Sequence, residues 1–280
     1  MLNKLLVKDR LAEFLKEDLN FGDLSSECLP DVTTTGKFIA KMDGVMCGED
    51  IPGLVYELLG GDASYSPLVH DGERFEAGCV LGTAEGSVRT LLSGERLSLN
   101  MIQRMCGIAT KTNRAVTLLN DSSIALCDTR KTTPGLRMFD KYAVACGGGH
   151  NHRFDLTGAV MLKDNHIALA GGIVPCVERI RRRTGPLTPI EVEVETVDEL
   201  REAVDAGADV IMFDNQPPET IGEWKKLVPD HIGIEASGGI NMETIATFRG
   251  CGADFLSMGE LTNDVTPLDI SFLVENAVKS

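Results

Sequence analysis

The second half of the chain repeats one unit, a short apolar run that follows the end of a helical segment. The phrase AGADVIMFD (206–214) is echoed by CGADFLSMG (251–259). A repeated βα unit predicts parallel strands in one sheet. Six such units within about 140 residues predict a sheet that is closed or nearly closed as a barrel. The apolar runs lie at 124–127, 159–162, 190–194, 210–213, 232–236 and 255–258.

The segment 197–206 shows the helical half of this unit. Thr196 and Glu199 have the spacing of a capping box, in which two side chains satisfy the free amides of the first helical turn. Gly207 follows the segment, as is common after a helix C-terminus. These signals predict a helix between two of the strands.

The first part of the chain carries different signals. Residues 8–19 have the periodicity of an amphipathic helix, and residues 91–107 return to that periodicity. Between about 33 and 85, short apolar alternations separated by Asp-Gly and Ala-Gly steps predict hairpins. The phrase DGERFEAGCVL (71–81) resembles a biotinyl or lipoyl carrier sheet, but Lys41 lies well before it, whereas a carrier lysine lies beyond it. We interpret this likeness as a shared sheet layout.

Charge and cysteine usage exclude several function classes. The net charge of −15 argues against broad binding to nucleic acid or to an anionic membrane surface. There is no run of 18 apolar residues and no signal-peptide core, so we expect a cytoplasmic protein without a spanning helix. The eight cysteines form no C-x-x-C pair and are expected to be reduced thiols. Cys146, His150 and His152 fit no common zinc spacing.

One segment, 128–166, is basic in this acidic chain. Its bases outnumber its acids by six to four: Arg130, Lys131, Arg137, Lys141, Arg153 and Lys163 against Asp128, Asp140, Asp155 and Asp164. Several of these charges adjoin glycines or follow an apolar run, which is where α/β proteins carry their sites. The segment therefore predicts a pocket for a ligand with several negative charges, and the alternative is a solvated basic face.

Polar residues also follow the later strands. Alternation places Glu191 and Glu193 on one face of their strand, either as a site or as an ion pair at its rim. Ser237-Gly238-Gly239 follows the next strand but one, and Gly259 follows the last. Glycines let backbone amides approach a phosphate, so this end of the barrel is predicted to hold one.

Six phrases in this order resemble the quinolinate phosphoribosyltransferase family. The likeness continues into EDLNFGD (17–23) and into residues 94–110, so that it covers nearly the whole chain. The six phrases are DTRKTTPGLR (128–137), GGGHNHR (147–153), LKDNH (162–166), EVEVE (191–195), MFDN (212–215) and ASGGI (236–240).

The resemblance implies an N-terminal α/β sandwich domain over 1–107 and an incomplete, open α/β barrel of parallel strands over 108–280, with the last helix packing back on the N-terminal domain. It implies a homodimer, or a larger assembly of dimers, with an active site shared between subunits. The implied reaction transfers phosphoribose from phosphoribosyl pyrophosphate to quinolinate with loss of CO₂. It gives nicotinate mononucleotide and pyrophosphate for NAD biosynthesis, with Mg²⁺ as cofactor.

The resemblance also assigns residues to roles. Lys131, Lys163, Glu193 and Asp214 would be catalytic, and Glu193 and Asp214 would hold the magnesium and the ribose hydroxyls. The substrate anions would be bound by Arg130, Lys131, His152, Arg153 and Lys163, with Arg96 supplied by the neighbouring subunit. The 5-phosphate would be bound by Ser237, Gly238, Gly239 and Gly259.

Small departures and two rival interpretations accompany this resemblance. Leu97 and Cys106 replace residues more usual in the family, and no histidine follows Thr262. The pyrophosphorylase-like protein found with molybdate transport shares the TRKT phrase but resembles LKDNH less. A non-catalytic metabolite-binding or carrier protein would not explain the acids at the strand ends.

Overall fold

The antiparallel and the parallel strands of the chain belong to two different compact units. The structure, a computed structural model, describes residues 2–275. Within that range the N-terminal unit comprises residues 2–113, 138–148 and 265–275, and the barrel unit comprises residues 114–137 and 149–264. The predicted boundary between residues 107 and 108 lies inside one long helix, Val88–Leu119.

The described residues form twelve strands and ten α-helices. The strands are β1 (Thr33–Ala40), β2 (Gly44–Val45), β3 (Ala63–Pro67), β4 (Arg74–Phe75), β5 (Val80–Ser87), β6 (Ala125–Cys127), β7 (Val160–Leu162), β8 (Ile190–Val194), β9 (Val210–Asp214), β10 (Gly233–Ser237), β11 (Phe255–Ser257) and β12 (Ile270–Val274). The helices are α1 (Lys4–Leu19), α2 (Leu24–Glu27), α3 (Ile51–Leu58), α4 (Val88–Leu119), α5 (Arg137–Cys146), α6 (Asp164–Ala170), α7 (Ile173–Arg181), α8 (Val197–Asp205), α9 (Pro218–Trp224) and α10 (Glu260–Asn263).

The N-terminal unit is built on an antiparallel sheet with the order β12-β1-β5-β3. Alternate residues of β1 are buried, and the Phe38 ring meets Tyr65 edge-on and Phe272 at a tilt. Gly82 leaves room for Tyr65, because a Cβ at this position would lie 2.2 Å from its hydroxyl oxygen. The last described element is the strand β12, and a helix following it would lie outside the described residues.

A buried ion pair joins α4 and α5 within the N-terminal unit. Arg104 Nε and Nη2 donate to the two carboxylate oxygens of Asp140, over 2.8 and 2.9 Å. The Asp140 side chain is fully buried, and the Arg104 side chain is only 19% exposed. A two-pronged pair of this kind fixes the relative orientation of the groups that carry it.

Replacing Arg104 by Ala is expected to lower the free energy of unfolding by about 3 kcal/mol, because it takes a bidentate partner from a buried carboxylate. Arg10→Ala serves as the matched control. Its guanidinium pairs with Glu13 on the exposed face of α1, so its loss should change stability by about 0.5 kcal/mol or less. Urea unfolding measures both variants, and equal small losses would contradict a stabilising role for the buried pair.

The barrel unit is an open parallel sheet with the order β6-β11-β10-β9-β8-β7. Its pairings are parallel, and within the described residues β6 and β7 remain as its two edges. This confirms the predicted fold class, an α/β chain with an incomplete barrel. All six predicted strands are present, with ends within one residue of those expected. The predicted capping box also forms at the start of α8.

The register brings the functional ends of these strands together. Glu193 on β8 and Glu235 on β10 are both in register with Met212 on β9, and Asp214 is in register with Ser237. Because parallel strands end at the same edge of a sheet, their terminal side chains converge there. No helix in the part of the chain that the structure describes combines the length and the apolar character needed to cross a membrane.

Candidate active site

A cavity of about 820 Å³ lies at the carboxyl edge of the parallel sheet. This volume is typical of sites for small molecules. Eleven of the twelve residues predicted for the site line this one cavity. They are Arg130, Lys131, His152, Arg153, Lys163, Glu193, Asp214, Ser237, Gly238, Gly239 and Gly259. Residues separated by more than a hundred positions are therefore neighbours, as the barrel prediction requires.

The twelfth predicted residue, Arg96, is on α4 in the N-terminal unit. Its side chain is 60% exposed and lies 3.9 Å from Glu95. It is not among the residues that line the cavity.

Two guanidinium groups make one side of the cavity strongly positive. Arg153 is half-buried and donates from Nη1 to the Ala159 carbonyl over 2.9 Å, which holds its side chain in place. Burial, followed by the charge of nearby Arg130, lowers the pKa of Arg153 from its ordinary value. Two like charges brought this close attract an anion more strongly than either does alone. This region is suited to a carboxylate or a phosphate.

A buried carboxylate holds the loop that presents these bases. Asp128, at the end of β6, is fully buried. Its oxygens accept from the His152 amide over 2.9 Å and from Asn151 Nδ2 over 2.7 Å. The acid predicted at this strand end thus positions residues 151–153, while the neighbouring Arg130 and Lys131 extend into the cavity.

Two acidic side chains of the protein lie beside His152, which was predicted to bind a substrate anion. Its Nε2 lies 3.3 Å from Glu191 Oε2 and 3.2 Å from Glu235 Oε2. Burial disfavours the charged ring, but the two carboxylates outweigh burial and raise the pKa of His152 to about 10. The two carboxylates therefore favour the imidazolium at neutral pH. In that form Nδ1 carries a proton and no longer accepts from the Arg153 amide, which lies 2.7 Å away and accepts no proton in return.

This protonation state leads to an expected spectroscopic result. Because the folded-state pKa lies above the ordinary value of about 6.5, the ring keeps its proton as the pH rises through neutrality. Its ring-proton NMR shifts should therefore show no titration step between about pH 6 and pH 8. A His152 midpoint below pH 7 would contradict this assignment.

The two acids that contact His152, Glu191 and Glu235, are both buried. Glu191 is 5% exposed, and its Oε1 has no hydrogen-bond partner among the residues that the structure describes. Burial raises the pKa of Glu191, as it does for any carboxylate with too few donors. Glu235 accepts a short hydrogen bond from the Ser257 hydroxyl. Glu235 was not predicted as a site residue, although an acid inside the apolar run IGIEAS (232–237) is the same signal that indicated Glu191.

Lys163 and Glu193 form an ion pair inside the cavity, in which the lysine Nζ donates to Glu193 Oε2. Both residues are among the four that the resemblance made catalytic, and they lie at the ends of the adjacent strands β7 and β8. Lys131 lies against Gly259, where a Cβ would meet its Cδ at 2.9 Å. The buried Thr262 hydroxyl donates to the Lys131 carbonyl and fixes that backbone. Lys131 and Lys163 therefore line the same cavity.

The glycine turn after β10 is tightly constrained. Gly238 has φ +90°, and a Cβ there would lie 2.2 Å from Asn215 Oδ1, so no larger residue fits. Asn215 itself has a left-handed backbone (φ 53°), and its Nδ2 donates to Asp214 over 2.5 Å. The turn that was predicted to cradle a phosphate thus also orients the acid at the end of β9.

The donor atoms at this edge suit magnesium. Glu193 and Asp214 offer carboxylate oxygens from neighbouring strands, and Mg²⁺ is bound in proteins by one or two carboxylates together with substrate phosphates. A second set, His152, Glu191 and Glu235, also has ligand atoms within 4.8 Å of one another. Among the described residues, the ligand atoms of Cys146, His150 and His152 do not form one cluster.

An open parallel barrel whose carboxyl edge combines convergent bases, two accessible acids and a glycine turn defines an α/β-barrel enzyme that acts on small anionic substrates. Comparison with known families identifies one family within this class. Residues 23–106 match the model described as quinolinate phosphoribosyl transferase, N-terminal domain, and residues 108–273 match the C-terminal domain of the same family. The chain belongs to the quinolinate phosphoribosyltransferase family, which confirms the resemblance.

Individual relatives agree over nearly the whole chain. It is 46% identical over 273 residues to the probable nicotinate-nucleotide pyrophosphorylase [carboxylating] of Bacillus subtilis (strain 168), covering 96% of this chain and 94% of the relative. It is 35% identical to the corresponding Mycobacterium leprae protein, covering 94% and 95%. The crystal structure of NadC from Streptococcus pyogenes superposes with a TM-score of 0.94 at 38% identity, covering 99% of each chain.

Proposed function

We propose that this chain transfers phosphoribose from phosphoribosyl pyrophosphate to quinolinate, forming nicotinate mononucleotide, pyrophosphate and CO₂ for NAD biosynthesis. The single observation that carries the proposal is the convergence of the eleven predicted residues on one cavity. The relatives' names, carboxylating nicotinate-nucleotide pyrophosphorylases, describe this reaction by its product.

The charges in the cavity complement quinolinate. Its two adjacent carboxylates need two cationic contacts, and Arg130 and Arg153 present the planar, two-pronged donors that suit them. Lys131 and Lys163 add further positive charge to the same cavity, on flexible side chains. His152, whose charge is balanced by two acids, is better suited to donate from a fixed ring than to neutralise a carboxylate.

The other half of the cavity complements the sugar donor. The turn Ser237-Gly238-Gly239 and the start of α10 after Gly259 offer backbone amides to a 5-phosphate. Asp214 and Glu193 lie where ribose hydroxyls can donate to them. These two acids would also hold the magnesium, which when bound supplies positive charge to the pyrophosphate.

Catalysis by these residues requires no nucleophilic side chain. The pyridine nitrogen of quinolinate attacks the anomeric carbon as the bond to pyrophosphate breaks, so positive charge develops on the sugar and negative charge on the leaving group. Fixed acids and bases stabilise both. The carboxylate beside the nitrogen then leaves as CO₂, and its electron pair stays on the ring carbon until a proton arrives. Lys131 and Lys163, which line the same cavity, would stabilise that negative charge.

The direct test mixes purified protein, magnesium and phosphoribosyl pyrophosphate with either quinolinate or nicotinate. Quinolinate should give equal amounts of CO₂ and nicotinate mononucleotide. Nicotinate should react poorly, because the carboxylate that it lacks makes a charge-assisted contact in the cationic pocket. Equal rates with both acids would contradict the assignment of this pocket.

Arg130→Ala and Arg153→Ala should each weaken quinolinate binding by about 1.5–3 kcal/mol, since each removes a charge-assisted contact. Lys at either position should not restore the affinity, because it lacks the planar fork. Arg182→Ala is the matched control, with its exposed guanidinium paired to Glu178 on α7. Calorimetry measures the affinities, and an unchanged value in a folded Ala variant would exclude that arginine from the pocket.

A homodimer with shared sites is part of this proposal. Arg96 is cationic, exposed and outside the cavity of its own chain, so it is available to a partner. The family resemblance gives it to the quinolinate pocket of the neighbouring subunit.

A further inference from the structure

A second cluster of metal-ligating side chains lies in the N-terminal unit and has no part in the proposed reaction. It consists of Cys47, Asp71 and Cys146, whose ligand atoms all lie within 4.8 Å of one another. Cys47 follows β2, Asp71 lies between β3 and β4, and Cys146 is the last residue of α5. Three separate segments thus bring two thiols and a carboxylate to one point.

The carboxylate of Asp71 is held in a fixed orientation. Its Oδ1 accepts from the Gly48 and Glu49 amides over 2.7 and 3.0 Å. Its Oδ2 accepts from the Tyr142 hydroxyl over 2.7 Å. Metal-ligating carboxylates are characteristically hydrogen-bonded in this way by a surrounding shell, which fixes the direction of their remaining lone pairs.

The two thiols differ in how readily they ionise. Cys47 is fully buried, and burial raises its pKa well above the ordinary value. Cys146 is half-buried, and a hydrogen bond from Cys47 is the chief cause of its lowered pKa. A bound cation deprotonates coordinating thiols outright, so it would remove the electrostatic cost of the second thiolate.

A third thiol, Cys106, supports Cys47 from the buried side. Its Sγ accepts from the Cys47 amide at 3.3 Å and lies 3.5 Å from the Cys47 carbonyl. Burial raises the pKa of Cys106 to about 12, so it stays a thiol. It fixes the backbone of Cys47, and its Sγ is not part of the cluster of Cys47, Asp71 and Cys146.

We propose that Cys47, Asp71 and Cys146 bind a thiophilic divalent cation of the Zn²⁺ class. Zinc is commonly bound by four ligands drawn from thiolates, imidazoles and carboxylates, and a site with three protein ligands keeps one position for water. That position would lie on the half-buried side, where Asp71, Tyr142 and Cys146 are partly exposed. Thiolates select against magnesium, an oxygen-seeking ion, so this site is chemically distinct from the one in the barrel.

The test is titration of the full-length, reduced protein with Co²⁺, followed by displacement with Zn²⁺. Cobalt bound by thiolates gives a sulfur-to-metal charge-transfer band, whereas a site of oxygens and nitrogens does not. We expect one equivalent of cobalt to produce this band and zinc to abolish it. Absence of the band in the reduced wild-type protein would overturn the proposal.

Substitutions assign the band to its ligands. Cys47→Ser and Cys146→Ser should each remove most of it, and Tyr142→Phe should weaken zinc binding by about 10- to 100-fold through the loss of a contact that orients Asp71. Cys79→Ser, a part-exposed thiol outside the cluster, is the matched control and should keep the full band. Turnover of quinolinate reports whether each variant is folded. Should Cys47→Ser be unstable, the half-buried Cys146→Ser decides, and a full band in that variant would exclude the site.

Discussion

An equal mixture of Arg96→Ala and Lys163→Ala subunits is expected to regain about a quarter of wild-type activity, although each homodimer should be nearly inactive. A heterodimer places both lesions in one site and leaves the other site intact. Random mixing at equal amounts makes about half of all dimers heterodimeric, each with one working site of two. Turnover measured after verified subunit exchange gives the recovered fraction.

The control for this experiment mixes Lys163→Ala with Glu193→Gln. Both residues line the same cavity of one chain, so every site in every mixed dimer carries one lesion. No activity should return in that mixture. Recovery near zero in the Arg96 mixture as well would mean that Arg96 serves its own barrel or serves none.

Glu193→Gln and Asp214→Asn are expected to reduce turnover by about 10²- to 10³-fold, the range typical for loss of one group that stabilises developing charge. Quinolinate affinity should fall little, because neither acid contacts that substrate in the proposed arrangement. Rate against magnesium concentration and calorimetric binding of quinolinate measure the two effects separately.

Glu195→Gln is the matched control for these acids, since Glu195 is exposed just beyond β8 and does not line the cavity. It should leave turnover close to that of the wild type. Equal loss of both ligands together with a lowered melting temperature would instead make Glu193 and Asp214 a structural pair.

The barrel and most of its site were predictable because their signals are local. Each strand is a short apolar run. Because the strands are parallel, the residue that follows each run lies at the same carboxyl edge of the sheet. Lys163, Asp214 and Ser237 are examples of such residues. Topology alone therefore converts positions that are distant in the sequence into one cavity.

The parts that were missed depend on packing between distant segments. Helix α3 (Ile51–Leu58) contains Pro52 and Gly53, which weaken any helical signal in so short a segment. Its buried face, including Val55 and Tyr56, stabilises it instead. The acids around His152 and the thiols around Asp71 likewise come from different elements, and no spacing in the sequence relates them.

The Lys163–Glu193 ion pair has a thermodynamic consequence for the order in which the site fills. In the free protein each residue neutralises the other. When quinolinate pairs with Lys163, Glu193 loses its counterion. The binding free energy that Glu193 then gains from the magnesium of the second substrate becomes larger. The same exchange operates in reverse when the sugar donor arrives first. By linkage, each substrate should raise the affinity for the other by an equal factor, so that the complete ternary complex is favoured over either half-filled site.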